Sequence, residues 1–230
     1  MDRLKHIHDH FNSESSIFDG RALKILPYYQ QMLDALVSNI PFKSEDAIDV
    51  IDMGTGTGTV AKLIKDAFPN AKIKCLDIAT GMLDQAKIKL AGKNDISFEL
   101  GEIAAYDFTQ KYDAIVSSLA YHHLEPDETK SLYYKKAYEA LNTNGILINA
   151  DVILDNGENS NNVNLKKWEA YMLDHGMTKD DVHQNYERYK REDRPANIND
   201  EIRWFDQVGL KDVNIYWKYY NFAVYGGIRR

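Results

Sequence analysis

Apolar residues follow two alternating rhythms along this chain. Between 25 and 40, Leu26, Tyr29, Met32, Leu33, Leu36, Val37 and Ile40 recur at the spacing of one helix face. Pro27 suits the first turn of that helix and Pro41 closes it. A β-branched run at 47–53 reads as a buried strand, and the apolar positions of 60–68 return to helical spacing. Strands are then expected at 72–76, 96–100, 112–117 and 146–153. A helix at 127–141, opened by Pro126 and Asp127 with Leu132, Ala137 and Leu141 inward, lies between the last two, followed by a turn at 142–145. Beyond a Gly/Asn-rich loop at 155–162, two helices at 163–175 and 180–191 read as a lid. A helix at 199–208 with Gly209 as C-cap precedes a hairpin of strands at 213–219 and 221–225. Strands alternating with helices imply an α/β doubly wound sheet. Seven strands are expected, mostly parallel, with an antiparallel end.

Length and charge narrow the picture. The 230 residues suit one domain at 1–230: an N-terminal helical section at 1–45, a core at 46–154, the lid at 155–195, and a last helix with its hairpin at 196–230. The formal charge is −7, so the basic excess of a nucleic-acid surface is missing and no nucleic-acid partner is expected. Cys75 is the single cysteine, which rules out an intrachain disulfide and reads as a core thiol. No run of about 18 apolar residues is present, so no membrane span is expected. We therefore expect a cytoplasmic protein, monomer or homodimer, acting on a small molecule. The polar segment 1–20 carries His6, His8 and His10 and reads as a solvated N-terminal stretch. No metal is expected, since Glu125 and Asp127 follow the later histidines without a ligand spacing.

The chemistry concentrates where the first strand turns into its helix. Asp52, Gly54, Gly56 and Gly58 alternate there, with Thr55 and Thr57 between the glycines. A strand that turns through three glycines into a helix is a nucleotide-binding corner, because the backbone is bare and the helix start is electropositive. A dinucleotide fingerprint would place its third glycine on Thr59. Asp52 would repel a pyrophosphate but accept hydrogen bonds from a cationic amino group. Asp77, one helix and one strand further on, falls at the same sheet edge, where a ribose diol would sit.

This D-x-G-x-G-x-G pattern resembles motif I of the class I S-adenosylmethionine-dependent methyltransferases, a Rossmann-like family. The resemblance covers roughly 46–151. It implies S-adenosyl-L-methionine as cofactor, S-adenosyl-L-homocysteine as product, and Gly54, Thr55, Gly56 and Gly58 around the methionine part. Ile78 to Lys87 resembles the family segment D-x-S-x-x-M-L-x-x-A, which puts Met82 against the adenine beside Ile78. Glu102, where the family usually has Asp, would take the adenine amino group, next to Ile103. Ser118 and Leu119 reach the same edge. The flanking stretches Ile25-Leu26-Pro27-Tyr28-Tyr29, Tyr121-His122-His123-Leu124 and Tyr219-Tyr220-Asn221-Phe222-Ala223 resemble a narrower group. These are small bacterial and archaeal methyltransferases related to carboxy-S-adenosylmethionine synthase, an enzyme of tRNA wobble-uridine modification. The arginine with which those synthases hold the extra carboxylate falls on Trp204, beside Arg203. At the His-Leu pair the chain resembles phosphoethanolamine methyltransferases, which makes His123 the first candidate base and His122 the second. Tyr28, Tyr121, Tyr171 and Tyr186 are expected to line the acceptor. Three rivals stay open: synthase chemistry, a cofactor-binding module without catalysis, and a nicotinamide oxidoreductase, which Thr59 and Asp52 disfavour.

Overall fold

The glycine turn leaves the end of a central strand. In the computed structural model, which describes residues 2–126 and 128–230, three helices precede it: α1 (Asp2–Glu14), α2 (Phe18–Ile25) and α3 (Tyr29–Ser38). The core follows as β1 (Asp49–Met53), α4 (Thr59–Ala67), β2 (Lys72–Asp77), α5 (Thr80–Lys89), β3 (Ile96–Leu100) and β4 (Tyr112–Ser118). A 3₁₀ turn at Tyr121–His123 leads to α6 (Glu128–Ala140) and β5 (Leu141–Val152). Then come α7 (Glu158–Asp174), α8 (Lys179–Glu192), α9 (Ile198–Val208), β6 (Lys211–Tyr219) and β7 (Phe222–Ile228).

The strands form one seven-stranded sheet in the order β3-β2-β1-β4-β5-β7-β6. The first five are parallel, and β7 runs antiparallel to both β5 and β6. Strand order reverses between β1 and β4, which opens a crevice at their carboxyl ends. Side chains alternate across the sheet as a two-residue period requires. Val50, Ala114, Val116, Ile146 and Ile148 enter the core under α3, α4 and α7, whereas Ile51, Met53, Ile115 and Leu147 enter the core under α6 and α9. Ile51 and Ile115 are fully buried, each worth about 1.5–3 kcal/mol of transfer free energy.

Several local expectations are corrected. The N-terminal stretch is solvated on one face only: α1 buries Ile7 and turns Leu4 and Phe11 inward on the same side. The helix expected at 25–40 is split by Pro27, because a proline disfavours helical backbone in the residue before it. Leu26 is accordingly extended, Tyr28 takes a left-handed conformation at φ 54°, and α3 starts only at Tyr29. Leu132 faces outward at 58% exposure; Tyr133, Tyr134 and Ala137 carry the inner face of α6 instead. Residues 142–145 continue β5, with Asn144 left-handed and a register shift against β4. The Gly/Asn-rich loop is shorter than expected because α7 begins at Glu158. Asp127, expected to open α6, lies outside the described residues.

One charged pair sits inside the second core. Lys130 on α6 donates to Glu201 Oε1 at 2.5 Å, and the Tyr134 hydroxyl donates to Glu201 Oε2 at 2.5 Å. Both ions are 1% exposed. Removing one partner strands the other in low dielectric. Lys130→Met is therefore expected to cost about 3–5 kcal/mol in denaturant unfolding, and Lys130→Met with Glu201→Met to regain most of it. Additive losses in the double variant would contradict the pairing.

Candidate functional site

The turn after β1 is held open by what the glycines lack. Gly54 has φ 74°, and a Cβ there would lie 2.4 Å from the Cβ of Ala120, which follows β4. This approach brings the two switch-point strands' exits together. Gly56, at φ 54°, has the opposite environment: a Cβ there would meet nothing within 4 Å. Its N–H donates to Asp77 Oδ2 at 2.8 Å, and Asp77 Oδ1 accepts from the Ala79 N–H at 2.8 Å. Burial raises the Asp77 pKa, opposed by those backbone donors.

A cavity of about 250 Å³ opens beside Gly56. Of the residues expected from the sequence, Gly54, Thr55, Gly56, Asp77, Ile78, Met82, Glu102, Ile103, Ser118, Leu119 and His123 line it. Asp52 and Gly58 do not. Gly58 packs its backbone against Ala86 and Leu90. Asp52 lies behind Thr55, whose hydroxyl donates to its Oδ2 at 2.6 Å. Its Oδ1 is buried without a hydrogen-bond partner among the described residues, as is the Ser118 hydroxyl. Burial raises the Asp52 pKa to about 7, only partly offset by Thr55.

The cover of this cavity was not anticipated. It is α1, with Leu4, Ile7 and Phe11, joined by Phe18 and Tyr29. Arg3 fastens α1 by donating to the carbonyls of His123 at 3.0 Å and Glu192 at 2.9 Å and to Glu125 Oε1 at 2.7 Å. The spacing of Leu4, Ile7 and Phe11 is itself helical, a signal hidden among charged neighbours.

The two histidines differ in kind. Asp151, at the end of β5, accepts from the His122 backbone N–H at 3.0 Å and pairs with its Nδ1 at 2.5 Å. Burial opposes the charged ring of His122, but Asp151 and Asp193 outweigh it and hold its pKa above the ordinary value. Asp151 is lowered in turn: His122 overcomes the effect of burial. His123 is held well below the ordinary histidine value, first by burial and then by the charge of His122. Neither of its ring nitrogens closes a hydrogen bond among the described residues, and Asp193 Oδ1 lies 3.5 Å from Nδ1. The ligand atoms of His122, His123 and Asp193 all fall within 4.8 Å of one another. Their spacing follows from the carboxylate that the two rings share, at 3.6 and 3.5 Å.

A second cavity of about 110 Å³ is lined in part by Trp168 of α7 and by Asn185, Arg188, Tyr189 and Glu192 of α8. Phe11, Phe18, Leu119 and His123 line both cavities and form the wall between them. His122, Asp193, Trp168 and Arg188 face the second alone. The four tyrosines expected around the acceptor line neither. Tyr121 is fully buried, its hydroxyl paired with that of Tyr133 at 2.6 Å. Tyr186 packs edge-on against Trp168 and donates to the Leu165 carbonyl. Tyr28, turned outward by the break at Pro27, meets Tyr219 edge-on at 4.7 Å. Tyr171 stacks on His175 at 3.8 Å, on the same outer groove as Tyr28.

The state of Asp52 has a measurable consequence. Its folded pKa of about 7 exceeds the ordinary 3.8, so its contribution to stability is complete below 3.8 and is lost as pH rises through 7. The ligand-free Asp52→Asn variant is expected to gain stability relative to the parent between pH 4 and pH 7, by a few kcal/mol, and to hold that gain above. A difference independent of pH in thermal unfolding would contradict an unpaired buried carboxylate.

Comparison with known proteins now adds to this geometry. Residues 50–145 match the family described as a methyltransferase domain. Over 112 residues the chain is 29% identical to a malonyl-[acyl-carrier protein] O-methyltransferase of Acetivibrio thermocellus, covering 49% of this chain and 38% of that one. Over 212 residues it is 21% identical to a carboxy-S-adenosyl-L-methionine synthase of Nautilia profundicola, covering 92% of this chain and 90% of that one. Among solved structures, the DhpI–SAM–HEP complex superposes with a TM-score of 0.67 at 14% identity, covering 99% and 98% of the two chains. Human N-acetylserotonin methyltransferase with SAM gives a TM-score of 0.62 at 16% identity, covering 95% of this chain and 56% of that one. The chain thus spans well under half the length of the malonyl-group relative and nearly all of the synthase. Residues 50–145 thus resemble a methyltransferase domain, and the chain shares its fold with solved S-adenosylmethionine-bound structures.

Proposed function

We propose that this protein transfers a methyl group from S-adenosylmethionine to a small molecule, with cofactor in the first cavity and acceptor in the second. The observation that carries the reading is the shared wall: two cavities meet at Phe11, Phe18, Leu119 and His123, and the first is built on the glycine turn. The residues present fit the cofactor. Gly56 leaves open backbone, and the Ser118 hydroxyl on the wall has no hydrogen-bond partner among the described residues. Thr55 and Gly54 would hold the methionine end, with Asp52 behind them fixing the Thr55 hydroxyl, Asp77 the ribose hydroxyls, and Ile78, Met82, Glu102 and Ile103 the adenine, with Leu119 toward the acceptor.

S-Adenosylmethionine, when bound, supplies an electrophilic methyl on a sulfonium. The chain's part is to align the acceptor, exclude water and take its proton. His123 meets that need. Burial and the charge of His122 hold its pKa below the ordinary value, its ring nitrogens close no hydrogen bond among the described residues, and Asp193 stands near to stabilise the proton it accepts. His122, paired with Asp151 and held above the ordinary value, positions the turn and is less suited to accept a proton. Synthase chemistry is supported by the length of the match to that relative. The place of its arginine argues against it: Arg203 is 56% exposed on an ion pair with Asp200, and neither Arg203 nor Trp204 lines either of these two cavities.

The test is turnover, read as S-adenosylhomocysteine released on a panel of small nucleophiles. His123→Asn is expected to lower kcat by about 10²–10⁴ while S-adenosylhomocysteine affinity stays within a few-fold. Because the His123 pKa lies below the ordinary histidine value, activity should be flat near neutrality and fall only in acid. Full turnover by His123→Asn would sink the base assignment, and no turnover on any nucleophile would count against the transferase reading.

A further inference from the structure

The second cavity sets aromatic rings around an arginine that lacks a close charge partner. Trp168, Tyr189 and Phe222 contribute rings from α7, α8 and β7. Arg188 lies on this wall and not on that of the first cavity. Its side chain is only 23% exposed. Burial, with the like charge of Arg21, pulls its pKa below the usual arginine value against the opposing carboxylates of Glu14, Asp193 and Glu192. Its short contacts are to neutral groups: it donates to Asn185 Oδ1 at 2.6 Å and lies 3.1 Å from His10 Nε2. The one carboxylate within ion-pair reach among the described residues is Glu14, at 3.9 Å, and Arg21 engages Glu14 more tightly, at 2.5 Å. A guanidinium has five donors, so Arg188 keeps N–H groups to offer. A largely desolvated cation with mainly neutral partners is costly, and a bound anion would offset that cost.

Resting on the methyl-transfer reading, we propose that the acceptor is a small monocarboxylate whose anion pairs with Arg188 and whose apolar body lies among the rings. Charge favours a monoanion over a phosphate dianion, because Glu192 and Asp193 line the same cavity. Size points the same way. At about 110 Å³ the cavity bounds the acceptor to a small molecule. Arg188 is absent from the wall shared with the cofactor cavity, which makes the carboxylate an anchor. The methylated atom then sits at the other end of the molecule, beside His123.

Titration calorimetry tests this on protein loaded with S-adenosylhomocysteine. The probes are benzoate and phenylacetate, matched against benzamide, phenylacetamide and inorganic phosphate. At least one acid is expected to bind about tenfold or more tightly than its amide and than phosphate, as a charge-assisted pair requires. Arg188→Gln should lose that preference. Arg188→Lys, which keeps the charge without the fork, should reduce it, and it carries the test if the glutamine variant does not fold. Retained S-adenosylhomocysteine binding reports that each variant is folded. Equal binding of acid and amide, no binding of either acid, tighter binding of phosphate, or a wild-type preference in either variant would overturn the proposal. Failure of the parent protein to bind S-adenosylhomocysteine is a separate result, which removes the methyl-transfer reading and this one with it.

Discussion

A single methyl group at Gly54 would lie 2.4 Å from the Cβ of Ala120, and the arrangement of the site depends on that space staying empty. The contact joins the exits of β1 and β4, neighbouring parallel strands on the two sides of the point where strand order reverses. One exit carries the bare backbone of Gly56; the other carries Leu119, left-handed at φ 56°, and the histidine turn. A larger residue at Gly54 would push apart the two turns that line the first cavity. The fold's switch point explains why a crevice exists here, and the Gly54–Ala120 approach explains why it is narrow enough to be a site.

Electrostatics then divides the labour of two adjacent histidines. Asp151 arrives at the end of β5 and holds both the backbone and the ring of His122. That pairing fixes a ring of raised pKa at 4.1 Å, centroid to centroid, from His123. Burial and this neighbour together hold the His123 pKa below the ordinary value. The same two rings would behave alike in water. Their difference is made by one carboxylate and by where the 3₁₀ turn leaves each ring, one locked on the sheet and one on the wall between two cavities.

The glycine-turn side of the candidate site was legible in the sequence and the wall of the second cavity was not, for a physical reason. Residues around the glycine turn are placed by local geometry: a strand end, a tight turn and a helix start fix Gly54, Gly56 and Asp77 within one βαβ unit. The wall toward the acceptor is assembled from distant segments, with Phe11 and Phe18 from the N-terminal helices and Arg188 from α8. No spacing within one segment announces such a wall. The tyrosines were misjudged because a large amphipathic ring suits a pocket, an interhelical seam and a surface groove equally well. Tyr121 and Tyr186 took seams and Tyr28 and Tyr171 took the groove. The burial of α1 had a sequence signal in Leu4, Ile7 and Phe11, outweighed in the reading by the charges between them.

The central claim is that the cavity beside Gly56 is built for S-adenosylmethionine. Native mass spectrometry of the purified protein, with and without added S-adenosylhomocysteine, tests it most directly. The account predicts one molecule bound per chain, displaced by S-adenosylmethionine and unaffected by reduced nicotinamide dinucleotide. A protein that stays empty at saturating S-adenosylhomocysteine, or that takes up the nicotinamide dinucleotide instead, would contradict it.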